Sequence, residues 1–184
     1  MTIAEAIALI QNDRFPVQPI VHWADLGCGS GLFTRALSTF LPAGSVAYGV
    51  DRSTVLKKQT TTGGVDIVPV KADFITDSLP FGRLDGIIMA NALHYVNDKP
   101  AFLQKLQAHL KDDALIVLVE YDTDTPVPTW VPYPVSFASL QKLAKTTGYT
   151  SVERLGEHPS VFGNGTIYSA MLSGRIYDVP AGAR

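Results

Sequence analysis

An α/β fold, built on a mostly parallel sheet with helices on both faces, is predicted by two observations. Short runs of branched apolar residues alternate with segments whose apolar residues recur at helical spacing, along almost the whole chain. One of those runs, ALIVLV at 114–119, has no polar alternation, as a strand covered on both faces requires. A length of 184 residues with 46% hydrophobic content suits a single domain, 1–184, and no linker or low-complexity tract divides it.

Residues 1–19 are a lead-in, with a short helix over 3–10 that places Ile3, Ile7 and Ile10 on one stripe. IVHWADL at 20–26 reads as a buried strand in which His22 and Trp23 are packing residues. Residues 31–41 carry Phe33, Leu37 and Leu41 at helical spacing and stop at Pro42 and Gly44. A second strand follows at 45–50, then a short helix over 53–60 ended by Gly63 and Gly64. Pro69 within the third strand, 65–71, argues for an edge position, because proline cannot donate to a ladder. The fourth strand is LDGIIMA, 84–90. Asp98 then caps a helix with Pro100 just inside it and Phe102, Leu103, Leu106 and Leu110 on its buried face. Beyond the fifth strand, Ser136 caps a helix carrying Phe137, Leu140 and Leu143, closed by Gly148. Segments near 150–157 and 166–172 finish the chain as a hairpin.

Charge narrows the function. A net charge of −2 and a pI near 6.0 exclude a strongly basic nucleic-acid face, so no nucleic-acid partner is expected. Cys28 is the single cysteine, so no internal disulfide forms. His22, His94, His109 and His158 are too scattered for zinc spacing, and no metal is expected. The opening MTIAEAIALIQNDR lacks the basic start and long apolar run of a signal peptide. No apolar stretch reaches the about 18 residues of a membrane span. The expectation is a soluble, cytoplasmic protein, in which the sequon at Asn164 carries no weight.

The most informative segment is ADLGCGSGLF, 24–33, between a strand and a helix. Gly27, Gly29 and Gly31 allow a tight turn and close approach of backbone to a ligand, and the helix behind offers N–H groups to an anionic group. Ser30 either caps that helix or touches the ligand. A Walker loop needs a lysine that is absent here. A dinucleotide fingerprint needs glycine where Leu32 stands, and a nucleophile elbow needs glycine where Cys28 stands. What remains is a loop holding a nucleoside cofactor whose charge is a small carboxylate. Asp51 ends the second strand 24 residues after Gly27, where a carboxylate can accept ribose hydroxyls. Asp73 ends the third strand; it can accept an adenine amine, with Phe74 against the base, or it can cap a turn.

The set ADLGCGSG at 24–31, VD at 50–51, AD at 72–73 and DGIIMANALHYV at 85–96 resembles the class I S-adenosylmethionine-dependent methyltransferases, of the small single-domain type, over residues 20–173. The resemblance implies a Rossmann-like three-layer sandwich with a seven-stranded sheet of order 3-2-1-4-5-7-6, the last strand antiparallel. It implies S-adenosylmethionine as methyl donor and S-adenosylhomocysteine as product. The cofactor site would comprise Asp25, Gly27, Cys28, Gly29, Ser30 and Gly31 of the loop, Asp51 with Arg52, Asp73 with Phe74, and Ala90 with Asn91. Backbone near Gly27 and Ala90 would receive the cofactor's amino group, Asp51 the ribose, and Asp73 with Phe74 the adenine.

Methyl transfer is an in-line displacement from a good leaving group. Alignment is then the protein's main contribution, worth ~7–11 kcal/mol, and a base is needed only for an acceptor that arrives protonated. The candidate catalytic residues are His94 and Tyr95, in a stretch that departs from the D/N-P-P-Y pattern of nucleic-acid and protein amide methyltransferases: Asn91 matches its first position and both prolines are missing. The stretch is closer to the A-L-H-x-[VL] run of a small-molecule subgroup. His94 fits a base or a buried hydrogen-bonding residue equally. The loop 121–135 is the substrate-side candidate; it holds four of the twelve prolines and supplies Tyr121, Trp130 and Tyr133. Those rings either wall the acceptor or fold the loop onto the domain, while Glu120, Asp122 and Asp124 could steer a cation or accept a proton. The sequence thus points to a methyltransferase acting on an O or N of a small molecule, as a homodimer or a loop-closed monomer. A non-catalytic cofactor- or partner-binding module and a protein methyltransferase stay open beside it.

Overall fold

The computed structural model describes residues 1–17, 19–53, 55–160 and 165–175; the sequon residue Asn164 lies outside them. The strands are β1 (His22–Leu26), β2 (Val46–Asp51), β3 (Gln59–Thr60), β4 (Asp66–Lys71), β5 (Leu84–Ala90), β6 (Leu110–Tyr121), β7 (Tyr149–Pro159) and β8 (Thr166–Arg175). They form one sheet in the order β3-β4-β2-β1-β5-β6-β8-β7. β4, β2, β1, β5 and β6 run parallel, and β8 is antiparallel to both β6 and β7. Setting aside the two-residue β3, this is the expected seven-strand order with its last strand reversed.

The helices are α1 (Ile3–Ile10), α2 (Leu32–Ser38), α3 (Lys99–Gln107) and α4 (Phe137–Thr146). Two buried clusters lie on opposite sides of the sheet. One gathers Leu9, Ile10, Phe33 and Leu37 against Trp23, Ile88, Val117 and Val119. The other gathers Phe102, Leu103, Leu106 and Leu140 against Leu26, Ile87, Ile116 and Leu118. Successive residues of β6 point to opposite faces, so its central run 114–119, with a core on each side, is apolar throughout. Each such side chain contributes about 1.5–3 kcal/mol by burial.

Several elements depart from the sequence reading. The helix expected at 53–60 is a turn and irregular chain ending in β3, with Thr54 outside the described residues. Leu56 is the one buried residue among 55–60, so no apolar stripe holds a helix there. The threonines that follow favour extended chain, and Thr60 Oγ1 donates to Asp66 Oδ1 at 2.6 Å as β3 pairs with β4. β3 covers β4 only at Asp66 and Ile67, leaving Pro69 past its end. In α1 the buried face is Ala6, Leu9 and Ile10, with Ile3 exposed. Leu110 begins β6 instead of closing the face of α3. Trp23 is fully buried, but His22 is exposed, and its amide donates to Asp85 Oδ2 at 2.8 Å. The Trp23 ring lies where any Cβ at Gly86 would stand, which makes glycine necessary on that neighbouring strand.

The parallel strands end together on one rim, where the chain order switches direction from β1. Gly27, Asp51, Asp73 and Asn91 lie along it, as expected for ligand binding in an open α/β sheet.

Candidate active site

The glycine loop is tied to the end of β2. Gly27 N and Cys28 N both donate to Val50 O, at 2.8 and 3.0 Å, and Gly31 N donates to Cys28 O at 2.7 Å. Gly29 N donates to Asp51 Oδ2 at 3.0 Å. These loop amides are therefore occupied within the fold. Gly27 has φ +82°, and a Cβ there would lie 2.7 Å from Ala92 Cβ, so the loop and the segment after β5 close on each other only through glycine. Gly31, with φ +80°, is itself the cap of α2, without a side-chain cap bond, so Ser30 does not cap. Ser30 is exposed, and its carbonyl accepts from Arg35 Nη1 at 3.0 Å. Cys28 is buried, its Sγ facing Gly49.

Three carboxylates stand behind this loop. Asp25 is 1% exposed; its Oδ2 accepts from Thr34 Oγ1 at 2.6 Å and its Oδ1 is buried without a partner. Burial pushes the Asp25 carboxyl up to about 7, against the opposing pull of Thr34. Asp51 is half-buried, with Oδ1 accepting from Ser53 N at 2.9 Å. Asp73 takes the turn-capping role: Oδ1 accepts from Ile75 N at 2.9 Å, and the exposed Arg52 guanidinium stands 3.9 Å from Oδ2. Phe74 is buried edge-on to Phe102 and beside Gly27, placing its ring in the core more than along the rim.

After β5 the chain turns at Asn91, a non-glycine residue at φ +52°, whose amide donates to Val119 O at 2.8 Å. Asn91 Oδ1, like Asp25 Oδ1, is buried without a hydrogen-bond partner. Two orphan acceptors on neighbouring strand ends fit a ligand that brings N–H donors, as the amino group of S-adenosylmethionine does. Ala90, which pairs with Val119, ends β5 just before them.

The 3-10 turn Leu93–Tyr95 follows. His94 is 2% exposed, and its Nδ1 lies 2.6 Å from Glu120 Oε2. Glu120 Oε1 also accepts from Ala92 N at 3.1 Å and His94 N at 3.2 Å. Glu120 is thus a buried partner of the turn, not a steering charge. Asp122 and Asp124 are also occupied. Asp122 accepts from Phe137 N at 2.9 Å and pairs with Arg154 at 3.0 Å; Asp124 accepts from Ser136 and Ser139. Tyr95 is half exposed with its ring 4.4 Å from that of His94, and Tyr121 lies at 6.0 Å. Burial, then the Glu120 carboxylate and Tyr95, push the Tyr121 phenol up.

The proline loop, tied to α4 through Asp122 and Asp124, is also pinned to the turn. Tyr133 N donates to His94 O at 3.0 Å, and the buried Lys99 Nζ donates to Tyr133 O at 2.6 Å and Val96 O at 2.9 Å. Burial lowers the Lys99 ammonium, and Glu120 opposes that shift. Tyr133 therefore folds the loop onto the domain and lines neither adjoining cavity. One cavity, of about 330 Å³, opens beside Asn91, His94 and Tyr95. The other, of about 290 Å³, lies between the loop and the start of β8. Tyr121, Trp130 and Val131 line both. The sequence reading missed that Glu120 pairs with His94 and that Lys99 is buried; a carboxylate ending a wholly apolar strand was the available signal for the first.

A family model described as a methyltransferase domain matches residues 18–172. An uncharacterized methyltransferase of Mycobacterium bovis is 27% identical over 99 residues, which is 54% of this chain and 50% of the relative. The chain thus spans about half the length of the curated relatives it matches. Among solved structures, the Burkholderia thailandensis 1,6-didemethyltoxoflavin-N1-methyltransferase, with bound 1,6-didemethyltoxoflavin and S-adenosylhomocysteine, is 15% identical with a TM-score of 0.67, covering 95% of this chain and 78% of that one. A Haemonchus contortus phosphoethanolamine N-methyltransferase is 14% identical with a TM-score of 0.69, covering 94% and 53%. These structures share the fold. Family model and strand order agree, and the chain belongs to the class I methyltransferases, whose methyl donor is S-adenosylmethionine.

Proposed function

We propose that this protein transfers a methyl group from S-adenosylmethionine to an oxygen or nitrogen of a small molecule. The observation that carries the reading is the pair of orphan acceptors, Asp25 Oδ1 and Asn91 Oδ1, with Asn91 also lining an aromatic cavity. Bound S-adenosylmethionine supplies an activated methyl group on a sulfonium sulfur. Asp25, Asn91 and the backbone near Gly27 and Ala90 hold its amino group. Asp51, fixed by Gly29 N, takes the ribose, while Asp73 and Phe74 lie on the adenine side. His94 and Tyr95 stand nearest the acceptor, which Tyr121 and Trp130 enclose. The small-molecule acceptors named for the two similar structures support that scale of substrate.

Among the described residues no helix is long and apolar enough to cross a membrane. The protein works as a loop-closed monomer or a homodimer; a monomer mass in light scattering removes the second form. Titration calorimetry with S-adenosylmethionine, S-adenosylhomocysteine and NAD tests the reading. Binding of the first two without NAD is expected. Binding of neither removes the enzymatic reading.

A further inference from the structure

We infer that Glu120 is a positioning residue that turns His94 into a base facing the acceptor cavity, and that the acceptor is an uncharged aromatic hydroxyl compound. The inference rests on the methyltransferase reading and deepens it.

A carboxylate only accepts hydrogen bonds. Glu120 takes two backbone amides on Oε1 and stands 2.6 Å from His94 Nδ1 with Oε2. In the neutral imidazole Nδ1 therefore carries the ring hydrogen, which leaves the lone pair on Nε2. His94 Nε2 has no hydrogen-bond partner among the described residues, and His94 lines the cavity of about 330 Å³. The arrangement has the logic of a base oriented through its second nitrogen. Such a base has work only when the accepting atom arrives protonated. A neutral aromatic amine attacks with its nitrogen lone pair and sheds its proton afterwards; a phenol-type hydroxyl is a poor nucleophile until its proton is being removed.

The walls define the rest of the molecule. Tyr95, Tyr121 and Trp130 present three rings, and no Asp, Glu, Lys or Arg is among the described residues lining this cavity. Glu120 is committed to the His94 turn, and the buried Lys99 is occupied by two carbonyls. A charged acceptor would find no counter-ion here, whereas an aromatic one finds stacking partners. A cavity of about 150 Å³ already takes benzene, so this one admits two fused rings. In the reaction, Nε2 takes the hydroxyl proton as the oxygen forms its bond to the methyl carbon and the carbon–sulfur bond breaks. The products are an aryl methyl ether and the thioether, and the imidazolium, held by Glu120, returns its proton to water.

The test uses the whole chain. S-adenosylhomocysteine binding is confirmed first by calorimetry; its absence overturns the functional reading and this inference with it. In the loaded protein, ¹⁵N NMR of histidine is expected to show His94 protonated at Nδ1 and bare at Nε2. Its reversal in the wild type overturns the inference. 2-Naphthol is expected to bind and be methylated with S-adenosylmethionine, and 2-naphthoate to do neither. Equal binding of the two, or no transfer to 2-naphthol, overturns it. Glu120→Gln keeps an oxygen for the backbone amides but turns an N–H toward Nδ1. It is expected to reverse the His94 tautomer and lower kcat for 2-naphthol by about 10²–10⁴-fold with KM unchanged. Unchanged kcat in a folded variant overturns the inference; if the variant does not fold, the wild-type measurements still decide.

Discussion

Asp51 and Gly29 are joined by a 3.0 Å hydrogen bond from loop amide to carboxylate, so the acid proposed for the ribose also holds the glycine loop in place. Asp51→Ala is expected to lose both functions. Calorimetry should show S-adenosylmethionine affinity falling by roughly 1.5–3 kcal/mol, the range for a lost charged hydrogen bond. Asp51→Asn, which retains an oxygen for Gly29, should lose less. Unchanged affinity in the alanine variant removes the ribose role.

Asp25 gives a pH signature. Its carboxyl is pushed up to about 7 from an ordinary 3.8, first by burial. A raised carboxyl favours the folded state when protonated. Its contribution is fully present below about 4 and is lost as pH rises through about 7. Denaturant titrations at several pH values should therefore show wild-type stability falling relative to Asp25→Asn across that window. An ammonium donor prefers the ionised acid, so cofactor affinity should rise toward pH 7 by up to tenfold per pH unit and then level. Asp25→Asn should flatten that profile.

Lys99 fastens the proline loop through Tyr133 O and Val96 O. Lys99→Met leaves both carbonyls without that donor, and about 1–3 kcal/mol of local stability should be lost. Hydrogen exchange should quicken over 127–135 while S-adenosylhomocysteine affinity stays constant.

Gly86→Ala would press a methyl group into the Trp23 ring. Overpacking of this kind costs about 1–3 kcal/mol, and a lowered Tm with normal cofactor binding is expected. An unchanged Tm would mean that the ring moves freely.

The strand order and both cores were legible because apolar pattern and turn residues carry that information locally. Ser136 and Asp98 cap their helices as read, with bonds of 3.1 and 3.0 Å to Ser139 N and Ala101 N. The glycine loop and the acids at 51 and 73 were placed on the rim by the same local signals. What was not legible depends on distant partners. Nothing near Glu120 in sequence says that His94 will meet it, 26 positions away. Asp122 and Asp124 look like solvent charges until α4 arrives beside them. The helix read at 53–60 failed because chain alternation was extended to a stretch in which, among the described residues, Leu56 alone is buried, too little for an apolar stripe.

The bond from Tyr133 N to His94 O fastens the acceptor loop to the very turn that bears the imidazole. On the proposed function, admitting an acceptor and aligning His94 then share one backbone bond. The other end of the loop is held as well, by Asp124 on Ser136 and Ser139, so the stretch between is moored to α4 on one side and to the imidazole's own turn on the other.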